Sequence, residues 1–356
     1  MNPHRLAVPS LKTLSLLAFT TLAGLAIGQA ALLNLNTAIQ QAFSKGPDLA
    51  SSIATLKNAQ ADLAAKEADP STLIVPLTQA RNTAALNAVQ LQAKQIEVTG
   101  SLTTAYLNLF EAQENTAVLG AQVTLDARNL EIAKAKLEAK NGTSLDVSKA
   151  ESTLAASRQN LTDAKANLPI LSKRLEVYLG SVNPEPLTVS EPPAFKEIKF
   201  ELGTLEKELE SRLPSVLQVA QSLQLAELNV KLADNDYTPP ATLRDAKTTL
   251  ENAQRSLEAT RSNALTQLRD ARRSVLNALE NVKIAQQNLE NANTSLSQDQ
   301  TKLKTGTISR VQLQQTEVAA LRAQYSYTQA VDSYWRALTT LSNASGIDVI
   351  GLVPAT

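Results

Sequence analysis

The strongest constraint on this chain is that much of its sequence is written twice. Gly46-Pro47-Asp48 followed by Asn58-Ala59-Gln60 returns 167 residues later as Leu213-Pro214-Ser215 followed by Leu225-Ala226-Glu227, and Asp69 returns as Asp236. Further on the offset becomes 166: Ala112-Gln113-Glu114-Asn115 matches Ala278-Leu279-Glu280-Asn281, Lys136-Leu137 matches Lys302-Leu303, Glu151 matches Glu317, and Gly180 matches Gly346. One register shift between residues 70 and 101 reconciles the two offsets. A unit of this length is no solenoid repeat. It reads as a whole domain copied once, with a first helical repeat over 31–180, a Pro-rich linker over 181–202, a second helical repeat over 203–346 and a tail over 347–356.

Each copy reads as a short helix, a long one and another short one, at 36–68, 78–140 and 145–179 in the first half. The long segment is apolar at every seventh position, Leu102, Leu109, Val123, Leu130 and Leu137, with Thr116 the polar exception; its counterpart runs Leu268, Val275, Val282, Leu289, Leu296, Leu303. A sustained heptad stripe argues for coiled-coil packing. Ala105, Ala112, Ala133, Ala271 and Ala278 lie between and let helices approach closely. About 63 residues at 1.5 Å each make a rod on the order of 95 Å long, and the two short helices could stack end to end beside it. Good helix formers dominate, while Gly (11), Tyr (6), Phe (5) and Trp (1) are scarce. The fold class is therefore all-α, with long antiparallel coiled-coil helices in two internal repeats. In the linker, Pro184, Pro186, Pro192 and Pro193 forbid helix, and Phe195, Ile198 and Phe200 allow a short strand or an extended strap across the middle of the rod.

Composition then excludes chemistry. There is no cysteine, and the one histidine is His4. Disulfides, thiol nucleophiles, acylated cysteines, zinc sites, helical di-iron sites and Ser-His-Asp triads lose their usual parts. No cofactor, no metal and no enzymatic activity is expected. Thirty-four basic residues balance thirty-four acidic ones, so the chain lacks the footprint of a nucleic-acid binder. At the start, Arg5 and Lys12 precede an apolar run from Leu14 to Ile27 and the small residues around Gly28-Gln29-Ala30-Ala31. That is the layout of a signal peptide over 1–30. The alternative, an uncleaved anchor, is disfavoured because about 14 apolar residues fall short of the roughly 20 that span a bilayer.

The opening Leu33-Asn34-Leu35-Asn36-Thr37-Ala38, then Pro47-Asp48-Leu49, resembles the start of TolC-type outer-membrane factors. So do the duplicated short-long-short helices, the turns Asn141-Gly142-Thr143-Ser144 and Thr305-Gly306-Thr307-Ile308, and the helices after them that carry Glu151 and Glu317 and end near Gly180 and Gly346. The resemblance covers nearly the whole chain beyond the leader. It implies a TolC-like α-barrel protomer: a homotrimer (the chain's partner being itself) closing a periplasmic tunnel between the outer membrane and a periplasmic adaptor with its inner-membrane transporter, for efflux or type I secretion. Such a protein is exported and associated with the outer membrane of a two-membrane bacterium. A spacer of the cell envelope that conducts nothing is the alternative.

One departure is large. The family inserts two membrane strands in each half between the first short helix and the long one, where this chain has only 70–76 and 237–241. Two strands and a turn need over about 20 residues, so no transmembrane β-barrel is expected, and a separate outer-membrane protein becomes a further partner.

The two turns carry the candidate site. Gly142 is expected to take the left-handed position that ends the long helix. Thr143 stands three residues before Asp146, and Ser309 three before Gln312, which is the spacing of a capping box. By resemblance, Asn141, Gly142, Thr143, Ser144, Thr305, Gly306, Thr307 and Ile308 face the pump side and receive the adaptor, and Asp146, Gln312 and Gln315 are candidates for a pore constriction. Simple capping is the competing reading of Asp146 and Gln312. Late in the chain, Tyr327, Val331, Tyr334, Leu338 and Leu341 fall on one helical stripe that reads as core.

Overall fold

The break at Gly46-Pro47 shapes the beginning of the molecule. In this computed structural model, which describes residues 32–181 and 184–354, helix α1 (Leu35–Lys45) starts where the Asn34 side chain accepts a 2.8 Å hydrogen bond from the Thr37 amide. Helix α2 (Pro47–Ala68) follows at once. The sequence predicts a single helix through 36–68, and the chain instead interrupts it at Gly46, whose backbone is extended at φ −66°, ψ 131°. Proline explains the correction. It has no amide hydrogen to continue α1, it disfavours helical geometry in the residue before it, and it fits the first turn of a new helix. The expected signal peptide over 1–30 lies outside the described residues.

Helices α3 (Ile74–Glu138) and α4 (Ser144–Leu179) complete the first half. After the linker come two short turns that the sequence reading did not anticipate, α5 (Leu202–Glu206) and α6 (Leu209–Arg212), then α7 (Pro214–Ala233), α8 (Pro240–Lys304) and α9 (Arg310–Ser345). Helices α3 and α8 each have 65 residues, about 98 Å of rod. Helices α4 and α9 each have 36. Among the described residues there is no strand; sheet-type pairing is confined to one parallel bridge, Leu33 with Val189.

The rods form one layer. Over one half of their length α4 packs on α3, α3 on α9, and α9 on α8; over the other half α2 takes the place of α4 and α7 that of α9. Outer edges are therefore α2 with α4 on one side and α8 on the other. Side-chain bonds fix the register: Arg322 reaches Gln122 at 2.8 Å and Arg336 reaches Asn108 at 3.0 Å, so α9 runs antiparallel to α3 and the two helical hairpins end at the same level. At the opposite end, Gln221 of α7 donates to the Asn82 carbonyl at 2.9 Å, which brings the connections 69–73 and 234–239 together. The core is concentrated at the waist. Leu102, Tyr106, Leu107 and Leu109 of α3, Leu175 and Leu179 of α4, Leu268, Val275 and Val282 of α8, and Tyr334, Leu338 and Leu341 of α9 are all buried there, together with α1. Toward the hairpin tips the stripe is only half-covered, and Leu137 is 38% exposed.

Candidate functional site

Both hairpin tips are built by the same hydrogen bonds. In the first, the Lys140 amide donates to the Leu137 carbonyl (2.9 Å) and the Asn141 amide to that of Lys136 (2.8 Å); in the second, Gly306 donates to Leu303 (3.0 Å) and Thr307 to Lys302 (2.8 Å). This is the Schellman pattern, in which the residue after the C-cap is left-handed. That residue is Gly306 at φ 72° in the second tip, but Lys140 at φ 57° in the first. The expectation for Gly142 is therefore wrong. Three residues separate C-cap from N-cap in both turns, and the first of the three must be left-handed whatever its side chain. A Cβ on Gly142 would instead meet the Lys136 side chain at 3.0 Å.

A difference of sign follows at matched positions. Lys140→Gly should stabilise the first tip by about 1 kcal/mol, by removing a strained non-glycine residue, whereas Gly306→Val should destabilise the second by about 1–2 kcal/mol. Hydrogen exchange at the tip amides will report both. Equal protection in the wild type and the two variants would show that the left-handed position carries no strain.

The caps that start α4 and α9 are both complete. Thr143 accepts from the Asp146 amide, and the Asp146 carboxylate accepts from the Thr143 amide (3.0 Å) and hydroxyl (2.7 Å). Those bonds, helped by Lys149 and Lys136, hold the exposed Asp146 carboxyl below its ordinary range. Ser309 and Gln312 make the same reciprocal pair. Gln315 is exposed one turn on. Asp146 and the two glutamines lie on α4 and α9, which flank α3, and no hydrogen bond joins them among the described residues. Within one chain their observed work is capping.

At the waist, the linker crosses the layer as an extended strap. Tyr106 lies 32 residues from each end of α3, and its hydroxyl sits 2.9 Å from the Leu33 carbonyl and 2.8 Å from that of Ser190. Burial pushes this phenol above its usual range. One heptad later Gln113 closes a reciprocal pair with Val189, donating at 3.1 Å and accepting at 3.0 Å. Ser172 of α4 receives the Leu187 amide at 2.7 Å, and Tyr334 of α9 receives that of Ile198 at 3.0 Å. Four side chains on three helices thus satisfy a backbone that cannot join a sheet. At the end opposite the tips, 69–73 and 234–239 are too short for membrane strands and leave Leu73 and Tyr237 exposed.

Residues 240–347 match the family model described as Outer membrane efflux protein. That match takes in α8 and α9. Among solved structures, the outer-membrane channel OprN superposes with a TM-score of 0.64 at 19% identity, over 90% of this chain and 91% of that one. The Campylobacter jejuni CmeC outer membrane channel gives 0.66 at 14%, over 88% and 85%. The open-state Neisseria gonorrhoeae MtrE outer membrane channel gives 0.61 at 12%, over 89% of each. At these identities the likeness is one of fold. Curated protein sequences give no match. The fold of these channels thus covers most of this chain, while the family model matches only α8 and α9. Sequence reasoning missed Tyr106, Gln113, Ser172 and Tyr334 as strap ligands. Tyr106, on the same helical face as Leu102 and Leu109, was the available signal, because a phenol in a core needs an acceptor.

Proposed function

We propose that the chain is an outer-membrane efflux component of the periplasm in a two-membrane bacterium: a TolC-like tunnel segment made by three copies. The two helical repeats, 31–180 and 203–346, would each contribute two rods to a wall of twelve. One observation carries the reading, the pair of unpartnered apolar edges. On α4, Ile170 is 54% exposed and Val177 71%; on α8, Leu276 is 43% exposed and Ile284 53%. The pairs Lys134–Glu151, Arg336–Glu111 and Thr316–Asp299 set the registers of neighbouring rods. Carried along antiparallel helices, they put all four residues level with roughly residues 105–116 of α3. One copy's α4 edge thus meets the next copy's α8 edge at matching height, and a groove of about 290 Å³ between α3 and α4, lined by Ala105, Asn108, Leu171 and Val177, is ready to receive side chains.

The tips, 141–144 and 305–308, are then the rim toward a periplasmic adaptor and an inner-membrane transporter, with Asp146, Gln312 and Gln315 as the residues closest to any constriction. A rim with one acidic residue and two glutamines per chain would select cations weakly. The other end, with its short connections, would meet the outer membrane through a separate protein. No catalytic step is part of this reading. Sedimentation with small-angle scattering tests it: the chain lacking 1–30 is expected as an elongated, hollow trimer, and Leu276→Glu with Ile284→Glu should return it to monomers. A wild-type monomer, or a closed bundle with a dry core, would favour the envelope spacer instead.

A further inference from the structure

Asp332 of α9 is 1% exposed, and neither carboxylate oxygen has a hydrogen-bond donor in reach. The group that faces it is a second acceptor, Glu111 of α3. Arg336, the nearest cation, is committed elsewhere: its guanidinium donates to Glu111 at 2.6 Å and to Asn108 at 3.0 Å. Other acids crowd the same place. Glu114 of α3 is raised by burial and by Glu191 of the strap, and Tyr325 of α9 is raised by burial, then by the charges of Glu111 and Asp332. Glu191, Phe195, Tyr327, Val331 and Asp332 line one narrow cavity of about 60 Å³ under the strap. Asp332 and Glu111 therefore share one arginine, with Glu114 and Glu191 adding negative charge nearby. Two facing carboxylates cannot bond each other unless a proton stands between them.

We propose that Asp332 and Glu111 hold one proton between them, and that this proton latches α9 to α3 beneath the strap. Its loss to solvent base leaves two like charges facing each other between α3 and α9 and loosens the waist. The linker is coupled to the same spot: Phe195 stacks edge-on against Tyr334 at 5.5 Å, and the Ile198 amide bonds the Tyr334 hydroxyl, two residues from Asp332. Burial first, then the charge of Glu111, push the Asp332 carboxyl up to about 8, with Arg336 pulling the other way. The folded chain thus binds a proton that the unfolded chain releases near pH 4. The contribution of this proton to stability is fully present below that pH, falls as pH rises from about 4 to about 8, and is lost above the folded value. At neutral pH the latch is closed and poised to open in mild alkali.

Trp335 is the one tryptophan in the chain, is buried beside Asp332, and makes a built-in reporter. Its fluorescence in the full chain should change sigmoidally between pH 5 and 9.5 with a midpoint near the folded value of about 8, while far-UV circular dichroism stays constant. Asp332→Asn should flatten the curve. Glu111→Gln should keep it but lower the midpoint by about one unit or more, since a repelling charge is lost and Arg336 is freed. At pH 9 (a pH chosen above the midpoint), amides 191–200 should exchange about tenfold faster in the wild type than in Asp332→Asn. A flat wild-type trace, the same sigmoid in Asp332→Asn, an unmoved midpoint in Glu111→Gln, or equal exchange at pH 9 would each overturn the latch. Should Asp332→Asn fail to fold, the Glu111→Gln midpoint still decides.

Discussion

Tyr106→Ala should cost the folded chain about 4 kcal/mol and release the strap from the waist. Tyr106 is fully buried at the midpoint of α3, and removing an aromatic side chain from a packed core costs about 3–5 kcal/mol. Tyr106→Phe separates the two contributions. It keeps the ring and loses only the hydroxyl that Leu33 and Ser190 share, so about 1–2 kcal/mol is expected. The strap should respond more than the rods. The Ser190 carbonyl loses the phenol, the Leu33 carbonyl keeps only the Ser190 amide at 3.0 Å, and the Leu33 backbone pairing and Gln113 are left to hold the strap there. Denaturation midpoints measure the rods, and limited proteolysis within 184–200 measures the strap. A Phe variant with wild-type protection of the strap would show that packing alone seats it there.

How much of this was legible beforehand depends on how local each cause is. The duplication and the heptad stripes implied long paired rods, because a helix declares its own apolar face. They did not reveal the waist: Leu268, Val275 and Val282 are buried, whereas Leu289, Leu296 and Leu303 in the same stripe are half-covered, since coverage depends on which other rods reach that level. The prolines of the linker announced an extended segment, yet its ligands come from residues 15 to 136 positions away. Asp332 escaped for a related reason. Helix α9 is sandwiched between α3 and α8, so it has two buried seams, and a single-stripe reading of Tyr327, Val331 and Tyr334 sees one of them. The Gly142 error is instructive in the opposite direction. Glycine marks where left-handed backbone is cheap, while the spacing between C-cap and N-cap decides where it is required.

The same distinction yields the second large effect, at two glycines where the backbone leaves no choice. Gly180 ends α4 at φ 61°, and a Cβ there would stand 2.5 Å from the Lys45 carbonyl oxygen; Gly346 ends α9 at φ 66°, and a Cβ there would stand 2.8 Å from that of Arg212. The two sites are copies of each other, each a helix end pressed against the break that precedes a Pro-started helix, α2 or α7. The obstructing atoms belong to backbone, so they cannot swing aside. Gly180→Ala and Gly346→Ala should each destabilise by about 3 kcal/mol, from left-handed strain plus the displacement of a neighbouring chain segment. Gly120→Ala is the matched control: it lies inside α3 with nothing within 4 Å, and should stabilise by about 1 kcal/mol through helix propensity. The consequence should also be felt far away. The tips stand about 48 Å from the waist, 32 residues at 1.5 Å, so a 5° tilt forced at the waist would move them by roughly 4 Å. Scattering profiles of the two alanine variants should therefore broaden at the tip end while that of Gly120→Ala stays unchanged. Denaturation midpoints that rank all three variants alike would mean that the helix ends yield freely, and that the close backbone approaches at Gly180 and Gly346 impose no constraint.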